Sequence, residues 1–219
     1  MKFIEIQMDH WARKEHYNHY RNNVNCTFSV TVNIDISNLL ILLKQLGLKS
    51  YPTQIYMLST VVNRLPEFRM SINDNGNLGY WDQVNPMYTI FNPNSKTFSA
   101  IWSRYNSSFN LFYETYLNDT TKHVNHDGVL FPQKSIPAHI FSISSVPWLD
   151  FTAFNLNVTP DKNYLFPIFT IGKYIQENRK TLMPLAIQCH HAACDGWHVG
   201  KFVELLRELA ITPSHWLRL

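Results

Sequence analysis

Pro184-Leu185-Ala186-Ile187-Gln188-Cys189-His190-His191-Ala192-Ala193-Cys194-Asp195-Gly196 carries the decisive pattern of this chain. An apolar strand fills 184–189 and stops at two histidines. A turn follows, then a helix that starts near Gly196, takes Asp195 as its cap and buries Phe202, Leu205, Leu206 and Leu209 at helical spacing. Histidines where a strand ends and a helix begins stand at the mouth of a sheet, where sites form. A neutral imidazole, with a pKa of about 6.5, suits the removal of a proton from an alcohol or thiol.

Three plainer readings compete. His190 and His191 would be satisfied core histidines, or Asp195 only an N-cap worth about 1 kcal/mol. Alternatively Cys189, His190, His191, Cys194 and His198 would ligate zinc. Adjacent histidines project differently, and neither Cys-x-x-Cys nor His-x-x-x-His frames them, so zinc is disfavoured.

Working outward, 26–34 alternates strictly and puts Cys26, Phe28, Val30, Val32 and Ile34 on one face of a half-buried strand. Before it, Asp9 is expected to cap a helix through Trp11, Arg13, Tyr17 and Tyr20. After it, Ser37 caps an apolar helix that Gly47 ends, and Pro52 sits in the first turn of another through Ile55, Leu58, Val61 and Val62. Asp74-Asn75-Gly76 between 68–72 and 78–81 is a hairpin signal. Further strands are expected at 87–91, 96–102, 140–145 and 165–171, with a short helix at 108–117. The polar, unpatterned stretch 118–134 reads as a mobile loop. The sum is an α+β fold in one domain spanning 1–219, a mixed β-sheet with helices packed on it. No glycine-rich phosphate loop supports a Rossmann or P-loop reading.

Composition narrows the function classes. The 219 residues carry 19 basic and 16 acidic side chains, net +3, with no basic run, which argues against nucleic acid. Cys26, Cys189 and Cys194 are an odd set without framework spacing and point to free thiols in a reducing, cytoplasmic setting. No apolar stretch is long enough to cross a membrane. The 14 Phe, 11 Tyr and 6 Trp fill a core or line a pocket for a flat apolar ligand.

Read together, His-His-x-x-x-Asp-Gly in its strand-turn-helix setting resembles the signature of the coenzyme-A-dependent acyltransferases. Those include the chloramphenicol acetyltransferase family, dihydrolipoyl acyltransferase catalytic domains and peptide-synthetase condensation domains. Details along most of the chain look like the first of these: Trp11 to Tyr17 with Tyr20-Arg21, Tyr51-Pro52, Glu67-Phe68-Arg69, Gly79 to Asp82, Thr97-Phe98-Ser99, Ser144 to Trp148, Phe154 to Asn157 and Ile171 to Tyr174.

The resemblance implies a two-layer α/β sandwich and O-acetylation of chloramphenicol by acetyl-CoA, with no metal. His191 would be the general base, Ser144 the oxyanion donor and Thr170 an assistant through water. Asp195 would pair with Arg13 as a structural anchor. Tyr20, Cys26, Phe28, Phe98, Phe131, Leu156, Ile168 and Thr170 would line the acceptor pocket, and Trp148, Lys173 and Tyr174 would meet coenzyme A. A homotrimer with sites between subunits is implied. Trp197, Ala193 and His19 depart from the usual pattern and bear on acceptor preference. The runners-up are a same-fold acetyltransferase for another alcohol and a non-catalytic trimeric binding protein.

Overall fold

The computed structural model describes residues 1–123, 128–157 and 163–217. The chain opens with β1 (Phe3–Glu5), a 3-10 turn (Met8–His10) and α1 (Lys14–Asn18), which passes into a π-helical turn (His19–Asn23). Then come β2 (Thr27–Asp35), α2 (Ser37–Leu46), α3 (Ser50–Val62), a 3-10 turn (Pro66–Arg69), β3 (Met70–Ile72), β4 (Leu78–Trp81), β5 (Asn85–Asn92) and β6 (Thr97–Trp102). The second half holds α4 (Phe109–His123), β7 (Ile140–Val146), β8 (Ile168–Gly172), β9 (Ile175–Glu177), β10 (Lys180–His190) and α5 (Gly196–Ile211).

The main sheet is mixed, in the order β2-β10-β8-β7-β5-β6, with β9 added on β10. β7 runs parallel to both β8 and β5, and the remaining pairs are antiparallel. A small sheet, β1-β4-β3, stands apart. The helices cover one face of the main sheet. A row across that face, Ile187, Phe169, Ile143, Tyr88 and Ile101, is almost completely excluded from water. The next row, one residue along, points the other way and is small or polar: Thr31, Ala186, Thr170 and Ser144. Period-two alternation thus divides the sheet into a helix-covered apolar side and a second side whose central row is small or polar, with Thr170 and Ala186 buried in it. This is the expected α+β, two-layer arrangement.

Several local expectations change. Asp9 does not cap α1; it lies in the 3-10 turn, and its carboxylate takes Lys14 at 2.7 Å, leaving Arg13 at the helix start. Ser37 is the first helical residue rather than the cap. Asp35 accepts both its amide (3.1 Å) and its hydroxyl (2.6 Å), so the carboxylate two residues earlier does the capping. Gly47 ends α2 as expected, at φ +65° in the left-handed region. Phe68 sits in a 3-10 turn, and β3 begins only at Met70.

The stretch 118–134 is not one free loop. Residues 118–123 extend α4 by more than a turn, with the Asp119 carboxylate accepting the Ser103 hydroxyl of the neighbouring segment at 2.6 Å. Beyond 124–127, which lie outside the described residues, the chain runs along β6. There Ala100 donates to Leu130 (2.7 Å), Ser99 to Val129 (2.7 Å) and Trp102 to the Gln133 side chain (2.7 Å).

Candidate active site

The turn between β10 and α5 follows from backbone hydrogen bonds. The His190 carbonyl accepts from Ala193 (3.0 Å) and Cys194 (3.1 Å), closing the turn after β10. His190 is buried, and its Nδ1 accepts the Ala192 amide at 3.1 Å, which places the ring proton on Nε2. Burial first, then the positive charge of Arg21 and the neighbouring His191, hold His190 below the usual histidine range. Such a ring stays neutral and serves the turn.

His191 is placed differently. Its amide donates to the Cys26 carbonyl at 2.8 Å, one step past the last pair of the β2–β10 ladder, and the Cys26 amide donates to Tyr20 at 3.1 Å. Asn25, at φ +48°, makes the bend between these two bonds. This backbone chain lays the Tyr20 ring flat on the His191 imidazole, centroids 3.8 Å apart, with Phe28 tilted against it at 5.0 Å. Nδ1 of His191 is buried without a hydrogen-bond partner among the described residues. A nitrogen sealed in this way cannot reach a substrate proton, so Nε2 is the basic nitrogen available to one.

Arg13 ties the first helix to this turn. One guanidinium nitrogen donates to Asp195 Oδ2 in a short ion pair, and the other reaches the His191 carbonyl at 3.4 Å. The second carboxylate oxygen of Asp195 caps α5, accepting the Trp197 amide at 3.1 Å and lying 2.8 Å from His198 Nδ1. Partial burial pushes the Asp195 carboxyl up, but the hydrogen bonds and charges of Arg13 and His198 outweigh it and bring it to about 2.

A second cluster lies on the face away from the helices. Ser144 Oγ and Thr170 Oγ1 are 2.9 Å apart, side by side on β7 and β8. Ile168 lies one row away beside Gln188, whose side chain accepts the Leu156 amide at 3.3 Å, so Leu156 crosses the face close by. Phe98 is on the same face of β6 and exposed, and Phe131 is exposed along that edge.

One chain does not bring the two clusters together. Thr170 pairs with Ala186, five positions before His191 on β10, which is about 16 Å along the strand. Tyr20, Cys26 and Phe28 stay with His191; Ser144, Thr170, Ile168, Leu156 and Phe98 do not.

A cavity of about 550 Å³ opens where β7 and β8 end. Trp148, Lys173 and Tyr174 line it, joined by Tyr51 and Gln54 from α3 and Tyr116 from α4. Gln54 is buried and donates a short hydrogen bond to the Tyr174 hydroxyl. Trp148 is exposed, edge-on to Phe91 at 4.7 Å. Sequence reasoning missed Gln54 and the role of Tyr51 in this wall, because a polar residue on an apolar helix carries no mark of what it faces. Among the described residues, no three His, Cys, Asp or Glu side chains are grouped to hold a metal ion, and no helix is long and apolar enough to cross a membrane.

The mixed sheet, its helical layer and a histidine at the strand-to-helix junction define a protein of the coenzyme-A-dependent acyltransferase fold. Solved structures agree: a chloramphenicol acetyltransferase superposes with a TM-score of 0.83 at 22% identity, covering 95% of this chain and 100% of that one. The cubic core of the pyruvate dehydrogenase multienzyme complex gives 0.70 at 17% identity, covering 93% and 88%. The family model described as chloramphenicol acetyltransferase matches residues 1–207. The chloramphenicol acetyltransferase of Clostridium butyricum is 48% identical over 217 residues, 99% of each chain, and one from Staphylococcus aureus is 46% identical over 99% of this chain and 100% of its own. The chain belongs to the chloramphenicol acetyltransferase family and is an acyltransferase.

Proposed function

We propose that this chain transfers the acetyl group of acetyl-CoA to the primary hydroxyl of chloramphenicol. Nε2 of His191 takes the hydroxyl proton as the oxygen attacks the thioester carbonyl, with no acyl-enzyme. The tetrahedral intermediate then expels the coenzyme A sulfur, which takes the proton back from the imidazolium. The observation that carries this reading is the His191 ring itself: stacked on Tyr20, sealed at Nδ1 and available at Nε2.

Ser144 donates to the oxyanion, with Thr170 2.9 Å away as its companion in a water-bridged chain. Arg13 and Asp195 hold the turn and do not exchange protons with substrate. The cavity at Trp148, Lys173 and Tyr174 accepts the pantetheine arm: its aromatic walls suit an uncharged chain, and Lys173 suits a phosphate. Tyr20, Cys26 and Phe28 on one side, and Phe98, Phe131, Leu156 and Ile168 on the other, bound the acceptor.

The separation of His191 from Ser144 within a chain favours a site completed between copies, and a cyclic homotrimer supplies that closure. In a bacterial cytoplasm the conversion of chloramphenicol to its acetyl ester would confer resistance to the antibiotic. The test is release of coenzyme A thiol that requires both acetyl-CoA and chloramphenicol, compared with a panel of other primary alcohols. Turnover with another alcohol and none with chloramphenicol would overturn the acceptor assignment. Full activity in His191→Ala would overturn the base.

A further inference from the structure

We infer that Glu67 and His198 are positioning residues for His191, an inference that rests on the proposed role of His191 as base. Glu67 lies in the 3-10 turn before β3, far away in sequence, yet it meets the catalytic turn twice. Its carboxylate is 3.8 Å from His198 Nε2, and its carbonyl accepts the Cys194 thiol at 3.6 Å. His198 is buried in the first turn of α5, and its other nitrogen is 2.8 Å from Asp195 Oδ1. The Asp195 amide also donates to this nitrogen, at 3.2 Å, so Nδ1 closes a capping box on α5 and Nε2 is the nitrogen turned toward Glu67.

A continuous path therefore runs from Glu67 through His198 to Asp195, on to Arg13, and ends at the His191 carbonyl, 3.4 Å from Arg13. Both ends are fixed. Phe68, next to Glu67, stacks on Phe202 of α5 at 4.8 Å, and Phe202 stacks on Phe169 in the sheet at 5.1 Å. The Glu67 turn, the start of α5 and the catalytic turn thus share one anchored unit.

A capping box accounts for the Nδ1 side of His198 and for the Asp195 carboxylate on the α5 amides. It does not require a second carboxylate on the far nitrogen of His198. At 3.8 Å, beyond hydrogen-bond distance, that second carboxylate acts on the imidazole through its charge, and through the ring on the carboxylate that Arg13 holds while it reaches for His191. Small displacements of a base cost large factors in rate, about a hundredfold for 1 Å.

The experiment compares Glu67→Gln, His198→Asn and His198→Ala with the wild-type enzyme by steady-state kinetics and by ¹⁵N NMR of the histidine rings. Glu67→Gln keeps the shape and removes the charge, so it preserves the fold. kcat is expected to fall about tenfold in Glu67→Gln and about a hundredfold in His198→Ala, with KM for both substrates within about twofold. His198→Asn, which retains a group at the Nδ1 position, is expected to recover part of the loss. The His191 ring resonances are expected to move in Glu67→Gln, a readout that needs no turnover and so separates this inference from the choice of substrate. Unchanged kcat and unmoved His191 resonances in Glu67→Gln would overturn it and leave His198 as a helix cap.

Discussion

The Tyr20 phenol ring lies parallel to the His191 imidazole, planes within 4° and centroids 3.8 Å apart. With Phe28 on one flank and the Cys26 carbonyl on the amide, the histidine has little rotational freedom before substrate arrives. Stacking of this kind contributes roughly 0.5–1.5 kcal/mol, and if that energy orients the base it converts to about 2- to 12-fold in rate. Tyr20→Phe keeps the stack and is expected to retain kcat within about threefold, whereas Tyr20→Ala is expected to lose up to about tenfold. Equal kcat in both variants would show that the stack does not orient the ring.

The Arg13–Asp195 pair joins residues from opposite ends of the chain, with side chains only 15% and 32% exposed. Removing one member strands the other, a cost of about 3–5 kcal/mol at full burial and nearer 2–3 at this exposure. Arg13→Ala and Asp195→Ala are each expected to unfold at lower denaturant concentration. The double variant is expected to be less destabilised than the sum, with a coupling of about 1–3 kcal/mol. Additive losses would mean that the contact contributes little to stability.

Acid should destabilise the protein in two separate windows. His190 is held below its ordinary value, so protons bind the unfolded chain first. Its contribution is complete above about pH 6.5 and declines as pH falls below that. Asp195, at about 2 against an ordinary 3.8, contributes fully above about pH 4 and loses that contribution between pH 4 and 2. Thermal midpoints are expected to fall in both ranges. His190→Asn should flatten the first descent and Asp195→Asn the second; an unchanged profile in either variant would reject that assignment.

Most of the architecture was legible where the sequence carries periodicity. The alternation from Cys26 to Ile34 and the apolar run before His190 place two adjacent strands, β2 at the edge of the main sheet and β10 inside it, and Asp74-Asn75-Gly76 places the hairpin. The sequence is blind where the decision is non-local. Asp9 looks like a cap, yet Lys14 occupies its carboxylate. Residues 118–123 look like loop because α4 keeps only one narrow stripe buried. β1 depends on β4, and β9 on β10, and neither three-residue strand has a pattern of its own. At the site, the motif names His191 and Asp195, while the contact of Glu67 with His198 is a product of tertiary packing alone.

The distance between His191 and Ser144 leads to the strictest prediction. Ser144 lies beside Thr170, and Thr170 beside Ala186, so about 16 Å along the β10 direction separates their row from His191, with the two side chains two strands apart as well. An attacking hydroxyl held at the base and an oxyanion 3 Å from its donor cannot span that gap. If each site takes His191 from one copy and Ser144 from the next, His191→Ala and Ser144→Ala chains are each inactive or nearly so: Ser144→Ala alone is expected to lose about 10²–10³-fold in kcat. Unfolded together in equal amounts and refolded, they form mixed trimers. A site is intact when the copy giving the histidine carries the serine substitution and its neighbour carries the histidine substitution. Random assembly makes that about one site in four, so the mixture should recover roughly a quarter of wild-type activity. Recovery absent, with mixed trimers confirmed by mass, would mean that base and oxyanion donor come from one chain.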